Sequence, residues 1–503
     1  MAQVIRYISA TGNNSNDGLS KSKAWETLNQ SLFYSANTGA AGASSTTPSR
    51  IYLERGSVFD SELKLFKWFD AGISSVATYI EPYGSGDKPV IDRNGTGNCI
   101  LMTGVSQLSI EDITCRNAYI GISIESYTGI GNRFDHSTVS GCTIHGITGS
   151  PIGEGNGIYW GYESLSTGIS DSNMIRDNLI YDCESHGIFS VGAASTEYKA
   201  NSIYGCDGAG LKLRNNDITG SSDTRDNFIW KCNDGIHIST GLNSASNHID
   251  RKIYGNIIHS CDRYGINISN DTGGVHVAGN YIIYNNIVTM TGVGVANLNI
   301  GWADDNAAMA FTGYIFNNTL YSDSLTGYCL RVALRKEDDC DIRNNLFAAH
   351  NGSRFINLSA TGILHKITGS SNFYNYTHTG WTADSTGMDL VAWSGAYGVD
   401  LTGSTTAGTS PIVGFIGFPP TGSNIASLAP YSDATGASVN GVFTTDLYGT
   451  TRTIPWSFGA IEIDTTYFDP RVLSGESSNY SRVRYGSTAA LNRPNTDGNV
   501  NTR

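Results

Sequence analysis

The sequence predicts an all-β solenoid, and the first observation behind this prediction is a repeat. Seven asparagines recur about 23 to 32 residues apart, each before a short apolar segment: Asn178, Asn201, Asn227, Asn256, Asn286, Asn318 and Asn345. A period in this range indicates supersecondary units stacked along one axis. The second observation is that segments such as Gly235–Ser239 alternate and contain β-branched residues, and that they are too short for helical repeats. Each unit is therefore predicted to consist of strands.

Stacked coils lie about 4.8 Å apart, so equivalent residues are expected to form columns along the axis. One column is predicted to contain four cysteines, each five residues after its asparagine: Cys183, Cys206, Cys232 and Cys261. We interpret the cysteines as buried small side chains and the asparagines as a ladder of hydrogen-bonded amides. Both columns are structural in this interpretation, because a core needs its residues in every coil and an active site does not.

The composition limits the partners that the chain can have. Glycine (59 residues) far exceeds proline (11), and only 15% of the 503 residues are charged, which suits tight turns between short strands. The net charge of −13 and the pI of about 5.2 argue against nucleic acid, since phosphate binding favours a basic face. An anionic glycan would need a local basic patch.

The cysteines and the apolar runs carry information about location. None of the nine cysteines forms a C-x-x-C pair, so there is no zinc or redox signature, and their columns favour buried thiols over disulfides. No run approaches the roughly eighteen apolar residues of a membrane helix, and Met1–Tyr7 lacks the apolar core of a signal peptide. We expect no membrane partner, and an extracellular protein that has lost a leader or is released by lysis.

Four parts are predicted along the chain. Residues 1–45 should contain a strand and then a capping helix at 22–36, with Ala24, Leu28 and Leu32 on one face and Trp25 beside them. A cap is expected because the open apolar end of a solenoid must be covered. The other parts are the solenoid with groove-forming insertions, a β-rich C-terminal closure, and a polar tail with several arginines: 46–360, 361–464 and 465–503.

Two features of the chain resemble a known family. The segment Tyr7–Leu28 (YISATGNNSNDGLSKSKAWETL) resembles the N-terminal segment of secreted and phage-borne right-handed parallel β-helix proteins of the pectate-lyase-like class. The asparagine-led coils are similar to the repeats of that class, and the resemblance covers roughly residues 6–360. It implies a single-stranded right-handed parallel β-helix.

The resemblance also implies a class of functions. Proteins of this class cleave polysaccharides as lyases or glycoside hydrolases, and phage tailspikes among them are usually trimers. We therefore expect a polysaccharide partner, and a homotrimer or docking to a virion through the tail if the protein is a tailspike-type depolymerase. The alternative is a structural or receptor-binding virion or surface protein without catalysis, since the same fold serves both.

A basic patch is the first candidate site. Alternation along the strands places two sets of residues on opposite faces: Ile188, Leu211, Ile236 and Ile266 inside, and Phe189, Lys212, His237 and Asn267 outside. Arg214 lies one step further, so Lys212, Arg214 and His237 should lie close together. Cations that neutralise a uronate and a base that takes its adjacent proton are what β-elimination requires. The alternative is a solvated surface.

Acidic residues one or two positions after the cysteines form a competing candidate. Asp207 and Asp234 should lie on neighbouring coils, at separations compatible with the paired carboxylates of glycosidases. Such carboxylates could instead bind Ca²⁺, as could the loop acids Asp304, Asp305 and 337–339, although no cofactor is required. Turn acids that cap the backbone remain the alternative.

Aromatic side chains are the candidate substrate-binding residues. Flat rings match the C–H faces of pyranoses, and packing against inserted loops is an equal alternative. The predicted binding surface includes Tyr159, Trp160, Tyr162, His186, Phe189, Asn267 and Trp302.

Overall fold

The structure is a computed structural model, and it describes twenty-two segments of the chain. These are residues 4–28, 49–66, 77–103, 107–125, 136–149, 155–161, 172–191, 195–215, 220–240, 249–269, 279–292, 294–301, 311–324, 326–332, 339–343, 345–349, 353–358, 367–370, 372–376, 381–383, 386–388 and 404–407. They contain only strands and one 3-10 turn, Lys21–Lys23. No helix in these segments is long and apolar enough to cross a membrane.

The strands are short and follow one another closely along the chain. In chain order the first twenty-five are β1 (Val4–Ile8), β2 (Ser49–Glu54), β3 (Val58–Phe59), β4 (Leu63–Phe66), β5 (Thr78–Tyr83), β6 (Val90–Asp92), β7 (Asn98–Thr103), β8 (Leu108–Glu111), β9 (Thr114–Ala118), β10 (Ile120–Glu125), β11 (Thr138–Ser140), β12 (Thr143–Ile147), β13 (Ile158–Gly161), β14 (Asn173–Arg176), β15 (Leu179–Cys183), β16 (Ile188–Val191), β17 (Thr196–Lys199), β18 (Ser202–Cys206), β19 (Ala209–Asn215), β20 (Gly220–Arg225), β21 (Phe228–Trp230), β22 (Asp234–Thr240), β23 (Ile249–Tyr254), β24 (Ile257–His259) and β25 (Tyr264–Ser269). The others are β26 (Gly279–Tyr284), β27 (Ile287–Gly292), β28 (Ala296–Gly301), β29 (Phe311–Phe316), β30 (Thr319–Ser324), β31 (Tyr328–Val332), β32 (Asp339–Arg343), β33 (Leu346–Ala349), β34 (Arg354–Leu358), β35 (Ile367–Ser370), β36 (Phe373–Tyr376), β37 (Trp381–Ala383), β38 (Thr386–Met388) and β39 (Ser404–Ala407).

The chain forms two compact units. The first contains Met1–Lys252, Ile257–Tyr281 and Asn299–Thr312, and the second contains Ile253–Asn256, Ile282–Leu298 and Gly313–Arg503. The residues of the basic patch all belong to the first unit.

The first unit consists of coils that each contribute one strand to three sheets. Sheet A has the order β1-β2-β5-β8-β11-β14-β17-β20, sheet B the order β3-β6-β9-β12-β15-β18-β21-β24, and sheet C the order β4-β7-β10-β13-β16-β19-β22-β25. Neighbouring strands pair in parallel, as β10, β13, β16, β19 and β22 do in sheet C. The predicted β-solenoid is thus confirmed as a parallel β-helix.

The second unit continues the same pattern. Its strands β27-β30-β33-β36-β39 are consecutive in sheet B, and β31-β34-β37 are consecutive in sheet C. One pair departs from the pattern, because β38 is antiparallel to β37. Strands that belong to coils therefore continue to Ser404–Ala407.

The predicted asparagine ladder is present in both units. In the first, Asn178 donates through Nδ2 to Oδ1 of Asn201 (3.0 Å), and Asn201 donates in the same way to Asn227 (3.0 Å). The residues directly before them, Asp177 and Ala200, have φ near +60°, and this left-handed turn directs each amide inward. In the second unit the ladder contains one residue that the repeat analysis missed, at its end: Asn256, Asn286, Asn318, Asn345 and Asn372.

The interior of the first unit is as uniform as the repeats predict. The cysteine column is buried in full, and all nine cysteines of the chain are free thiols. A column of glycines lies beside the cysteines, at a position where the neighbouring coils leave no room for a side chain. A Cβ on Gly210, for example, would approach Cγ2 of Ile229 to 2.5 Å and the carbonyl oxygen of Gly235 to 2.9 Å. Tight packing of this kind makes even one extra methyl group costly.

The outer face of sheet B carries an aromatic ladder. His145, Tyr181, Tyr204, Trp230 and His259 occupy equivalent positions on successive coils. Their ring centroids are 4.7, 4.9, 4.3 and 6.0 Å apart, and the rings are nearly parallel. Since each ring covers the face of the next, this ladder stabilises the stack and leaves mainly ring edges exposed.

The predicted capping helix is wrong for the part of it that the structure describes. After the 3-10 turn, Ala24 is extended, and Trp25 forms a parallel bridge with Ile8. The backbone N–H of Trp25 donates to the carbonyl of Tyr7 (3.0 Å), and its carbonyl accepts from the N–H of Ser9 (2.8 Å). Ala24, Trp25 and Leu28 are buried, as a cap requires. An extended segment forms instead because it can pair with the edge of β1, whereas a helix cannot.

Some of the sequence predictions fall outside the described residues. Positions 29–36 of the predicted helix, the final segment of the predicted closure from Thr445 to Asp464 and the tail 465–503 are among them, and the C-terminal closure stays a prediction.

Candidate functional site

The outer face of sheet C in the first unit brings the predicted patch together. Register pairs run from Tyr159 to Phe189, Lys212, His237 and Asn267, one residue per coil. The residues that precede them in their strands are fully buried in the core, as alternation predicted: Ile158, Ile188, Leu211, Ile236 and Ile266. The row thus passes from aromatic to cationic to amide side chains along the axis.

Lys212 and His237 form the centre of the row. The Nζ atom of Lys212 lies 3.2 Å from Nδ1 and 3.4 Å from Nε2 of His237. Only 7% of Lys212 and 6% of His237 is exposed, so the patch is far more enclosed than the predicted surface. The ammonium group thus lies within hydrogen-bonding distance of both ring nitrogens of the imidazole.

Asp234 belongs to the same cluster because the alternation breaks at the glycine column. A Cβ on Gly235 would meet Cγ2 of Ile258 at 2.5 Å, so Gly235 and Ile236 both face the core. Two successive inward positions return Asp234 to the outer face, where its Oδ2 lies 3.2 Å from Nδ1 of His237. Strict alternation would have placed this carboxylate on the opposite face.

The Asp234 carboxylate is held by ionic hydrogen bonds. Arg263 donates to it through Nε (2.9 Å) and Nη2 (2.6 Å), and Nδ2 of Asn267 lies 3.4 Å from Oδ2. Burial by itself would raise the pKa of Asp234, but the hydrogen bonds and charges of His237 and Arg263 outweigh it and lower the pKa to about 2. Asp234 is therefore a permanent carboxylate at neutral pH.

Two residues outside the predicted set complete the cluster. Ser269, at the end of β25, has its Oγ 3.3 Å from Nε2 of His237. Asn299 donates through Nδ2 to Oδ1 of Asn267 (2.7 Å) and extends the row by one coil. The sequence could have identified Ser269 through its column, because Ser269 continues the row of Arg214 and Ser239 on the next coil. Nothing in the sequence marks Asn299 beyond its place in a strand.

The acidic column does not form the predicted pair of catalytic carboxylates. Asp207 is exposed at a turn, where its backbone N–H donates to the carbonyl of Cys183 (3.0 Å), whereas Asp234 is buried. The two differ because Asp207 lies in the turn after β18 of sheet B, whereas Asp234 is the first residue of β22 in sheet C. Among the described residues, no group of three or more His, Cys, Asp or Glu side chains could hold a metal ion. Asp304, Asp305 and residues 337–338 lie outside the described residues.

The aromatic candidates separate into three groups. Phe189 is half-buried, and its ring meets the edge of Tyr159 at 5.6 Å and that of His186 at 5.3 Å. His186 is also part of a turn, because its Nδ1 accepts from the backbone N–H of Ala209 (2.8 Å). Trp160 is 0% exposed inside the coil, so it has no ring face for a sugar, and this prediction is corrected. Tyr162 and Trp302 lie outside the described residues.

The cluster carries positive charge on a chain whose net charge is −13. Among the described residues of the cluster, Lys212, Arg214 and Arg263 contribute three cations, and Asp234 contributes one carboxylate. Arg214 lies opposite Ser239 in the register, one row away from the Lys212–His237 pair. This excess of positive over negative charge among the described side chains favours an anionic ligand.

The comparison with protein families agrees with the architecture. Residues 93–300 match the family model described as "Right handed beta helix region". No curated protein matches the chain. Solved structures similar to it include XylC with xylose, at 12% identity over 77% of this chain and 85% of that chain, with a TM-score of 0.48. Another is the A-module of the mannuronan C-5 epimerase AlgE6 of Azotobacter vinelandii, at 13% identity over 72% of this chain and 91% of that chain, with a TM-score of 0.48. A third is the pectate lyase Pel9A, at 14% identity over 99% of this chain and 96% of that chain, with a TM-score of 0.38. Identities and TM-scores this low carry no activity over to this chain.

Proposed function

We propose that this chain, a right-handed parallel β-helix protein, binds an anionic polysaccharide on the outer face of sheet C and cleaves it by β-elimination. The observation that carries the proposal is the enclosed Lys212–His237 pair, whose imidazole also contacts the carboxylate of Asp234. A uronate substrate supplies the negative charge that Lys212 and Arg214 attract. The ring of Phe189, which is half-buried and packs against the buried Tyr159, offers an adjoining sugar an apolar contact.

His237 is the proposed base. Asp234 accepts a hydrogen bond from Nδ1–H, which fixes the proton on that nitrogen and leaves Nε2 to take the proton next to the uronate carboxyl group. Lys212 and Arg214 neutralise the carboxylate and stabilise the charge that develops as the C–H bond breaks. The C–O bond to the glycosidic oxygen then breaks, that oxygen takes a proton from solvent water, and the product carries a C=C bond.

Hydrolysis by paired acids is the less favoured reaction. A general acid must carry a proton at working pH, and a carboxyl group with a pKa of about 2 does not. Asp207 is exposed in the turn after β18, whereas Asp234 is buried in the cluster, so the two do not share one buried environment. Elimination needs only the groups that the cluster brings together.

The test is incubation with a panel of acidic and neutral polysaccharides, with and without Ca²⁺. The rise in ultraviolet absorbance from unsaturated ends and the appearance of reducing ends are followed together. We expect both signals with a polyuronate, and loss of both in Lys212→Ala and His237→Ala. Reducing ends without absorbance would refute elimination. If neither signal appears with any substrate and glycan binding is retained, the structural or receptor-binding alternative is favoured.

Cellular context follows from the substrate in this proposal. Acidic polysaccharides of this kind lie outside cells, so the protein would act extracellularly. The tailspike role, the trimer and docking through the tail remain predictions from resemblance. Size measurement in solution and binding to purified virions test them directly.

A further inference from the structure

The cluster contains a serine that β-elimination does not use. Ser269 is half-buried at the end of β25, and its Oγ lies 3.3 Å from Nε2 of His237. On the other side of the same ring, Nδ1 lies 3.2 Å from Oδ2 of Asp234. A hydroxyl, an imidazole and a carboxylate are thus connected in a line through the two ring nitrogens. This is the arrangement that activates a serine nucleophile, and such contacts are often slightly long without substrate.

The surroundings hold the base in the orientation that this chemistry needs. Arg263 donates a hydrogen bond to each oxygen of Asp234, at 2.9 and 2.6 Å, and these two bonds hold the carboxylate in its orientation toward Nδ1 of His237. The carboxylate stays ionised and can stabilise the imidazolium that forms during the reaction. His237 itself is packed between Lys212 and Ser269 on the two neighbouring coils.

Groups that could stabilise an oxyanion lie nearby. The ammonium of Lys212 is within 3.4 Å of the imidazole, on the coil before it. Ser239 lies between Arg214 and Ser269 in its own row and is fully buried. Its hydroxyl has no hydrogen-bond partner among the described residues. A buried hydroxyl without a partner is costly, so a ligand oxygen next to Ser269 would satisfy it.

We propose that Ser269, His237 and Asp234 form a second catalytic activity, the hydrolysis of a carboxylic ester such as an O-acyl group on a sugar. Ser269 Oγ attacks the ester carbonyl while its proton passes to Nε2 of His237. The bond from the carbonyl carbon to the sugar oxygen breaks, that oxygen takes the proton, and the acyl group remains on Ser269. Water then attacks the acyl-enzyme with His237 again as base, releasing the carboxylic acid and restoring Ser269.

The hydrolysis of an ester by these residues does not depend on the proposed function. The choice of a glycan as the carrier of that ester rests on the proposed function. O-acyl groups block the hydroxyls of many acidic polysaccharides and alter the fit of the chain in a groove. An enzyme that removes the acyl group and then cleaves the chain at one cluster would use His237 in both reactions. Ser269 would serve the first reaction only, and this difference makes the two proposals separable.

The test uses the full chain with a serine-reactive fluorophosphonate, 4-nitrophenyl acetate, and an O-acetylated polyuronate. We expect one covalent adduct by intact mass, located at Ser269 by peptide mapping. Ester hydrolysis should fall about a hundredfold or more in Ser269→Ala and in His237→Ala. Ser202→Ala, a half-buried serine on sheet B, is the matched control and should keep wild-type labelling and hydrolysis.

Each outcome decides between the proposals. An adduct at another residue, no adduct, or ester hydrolysis unchanged in a folded Ser269→Ala variant would overturn the esterase. If chain cleavage persists in that case, the proposed lyase stands alone. Labelling and ester hydrolysis without any chain cleavage would support the esterase and refute the lyase. Circular dichroism of each variant excludes unfolding as the cause of a loss.

Discussion

The asparagine ladder leads to a quantitative prediction about stability, and Asn227 is the position that tests it. Its Oδ1 accepts from the backbone N–H and from Nδ2 of Asn201, both at 3.0 Å. Its Nδ2 donates to the carbonyl of Tyr198 at 2.9 Å. Asn227→Ala would therefore remove three buried hydrogen bonds, although Nδ2 of Asn201 keeps its bond to the carbonyl of Ile175. At roughly 1 to 3 kcal/mol for each, and with incomplete additivity, the expected loss of unfolding free energy is about 3 to 6 kcal/mol.

Chemical denaturation followed by circular dichroism measures this loss. If the dependence of the free energy on urea is about 3 kcal/mol/M, the midpoint should fall by roughly 1 to 2 M. The matched control is Asn233→Ala, a half-buried turn asparagine of the same coil whose described hydrogen bonds come from its backbone. Its effect should stay within about 0.5 kcal/mol. Equal shifts for the two variants would refute the view that the ladder stabilises the coils.

Three further predictions follow from other contacts. Arg263→Ala should lower the rate of glycan cleavage about tenfold or more, mainly in kcat, and change its pH profile, because Asp234 then loses the pair that fixes it against His237. His259→Gln should remove an acid-sensitive loss of stability. Burial, and then the charge of Lys231, lower the pKa of His259 from 6.5 to about 4. Stability is therefore complete above pH 6.5 and declines as the pH falls toward 4, by about 2 kcal/mol at pH 5. Gly210→Ala should destabilise the protein by about 1 to 3 kcal/mol in the same denaturation assay, because its Cβ has no space beside Ile229.

Each of these predictions has an outcome that contradicts it. Unchanged kcat and pH profile in Arg263→Ala would mean that Asp234 is oriented by other contacts. If the wild type and His259→Gln lose stability equally between pH 7.5 and pH 5, the buried imidazole is not the acid-sensitive group. A wild-type midpoint for Gly210→Ala would show that the coils can separate to admit a methyl group.

The repeats determined the fold to an unusual degree, because each coil of a solenoid makes its packing contacts and hydrogen bonds mainly with the adjacent coils. The asparagine ladder, the cysteine column and the register from Phe189 to Asn267 are all confirmed as predicted. The right-handed parallel β-helix inferred from the resemblance is confirmed by the family match to residues 93–300. Sequence reasoning also identified Lys212 and His237 as neighbours, since alternation and register are enough to place them.

Tertiary structure decided everything that depends on departures from the repeat. The N-terminal cap is extended because the free edge of β1 offers hydrogen bonds that override a helical pattern of apolar residues. Trp160 faces the core because it follows the alternation of its own strand, two residues after the buried Ile158. Asp234 faces outward because Gly235 and Ile236 both face the core and so interrupt the alternation. The contacts of His237 with Asp234 and Ser269 depend on side-chain directions on two neighbouring coils. Sequence alone therefore determined the column that each residue occupies, and only the folded coils decided which side chains touch.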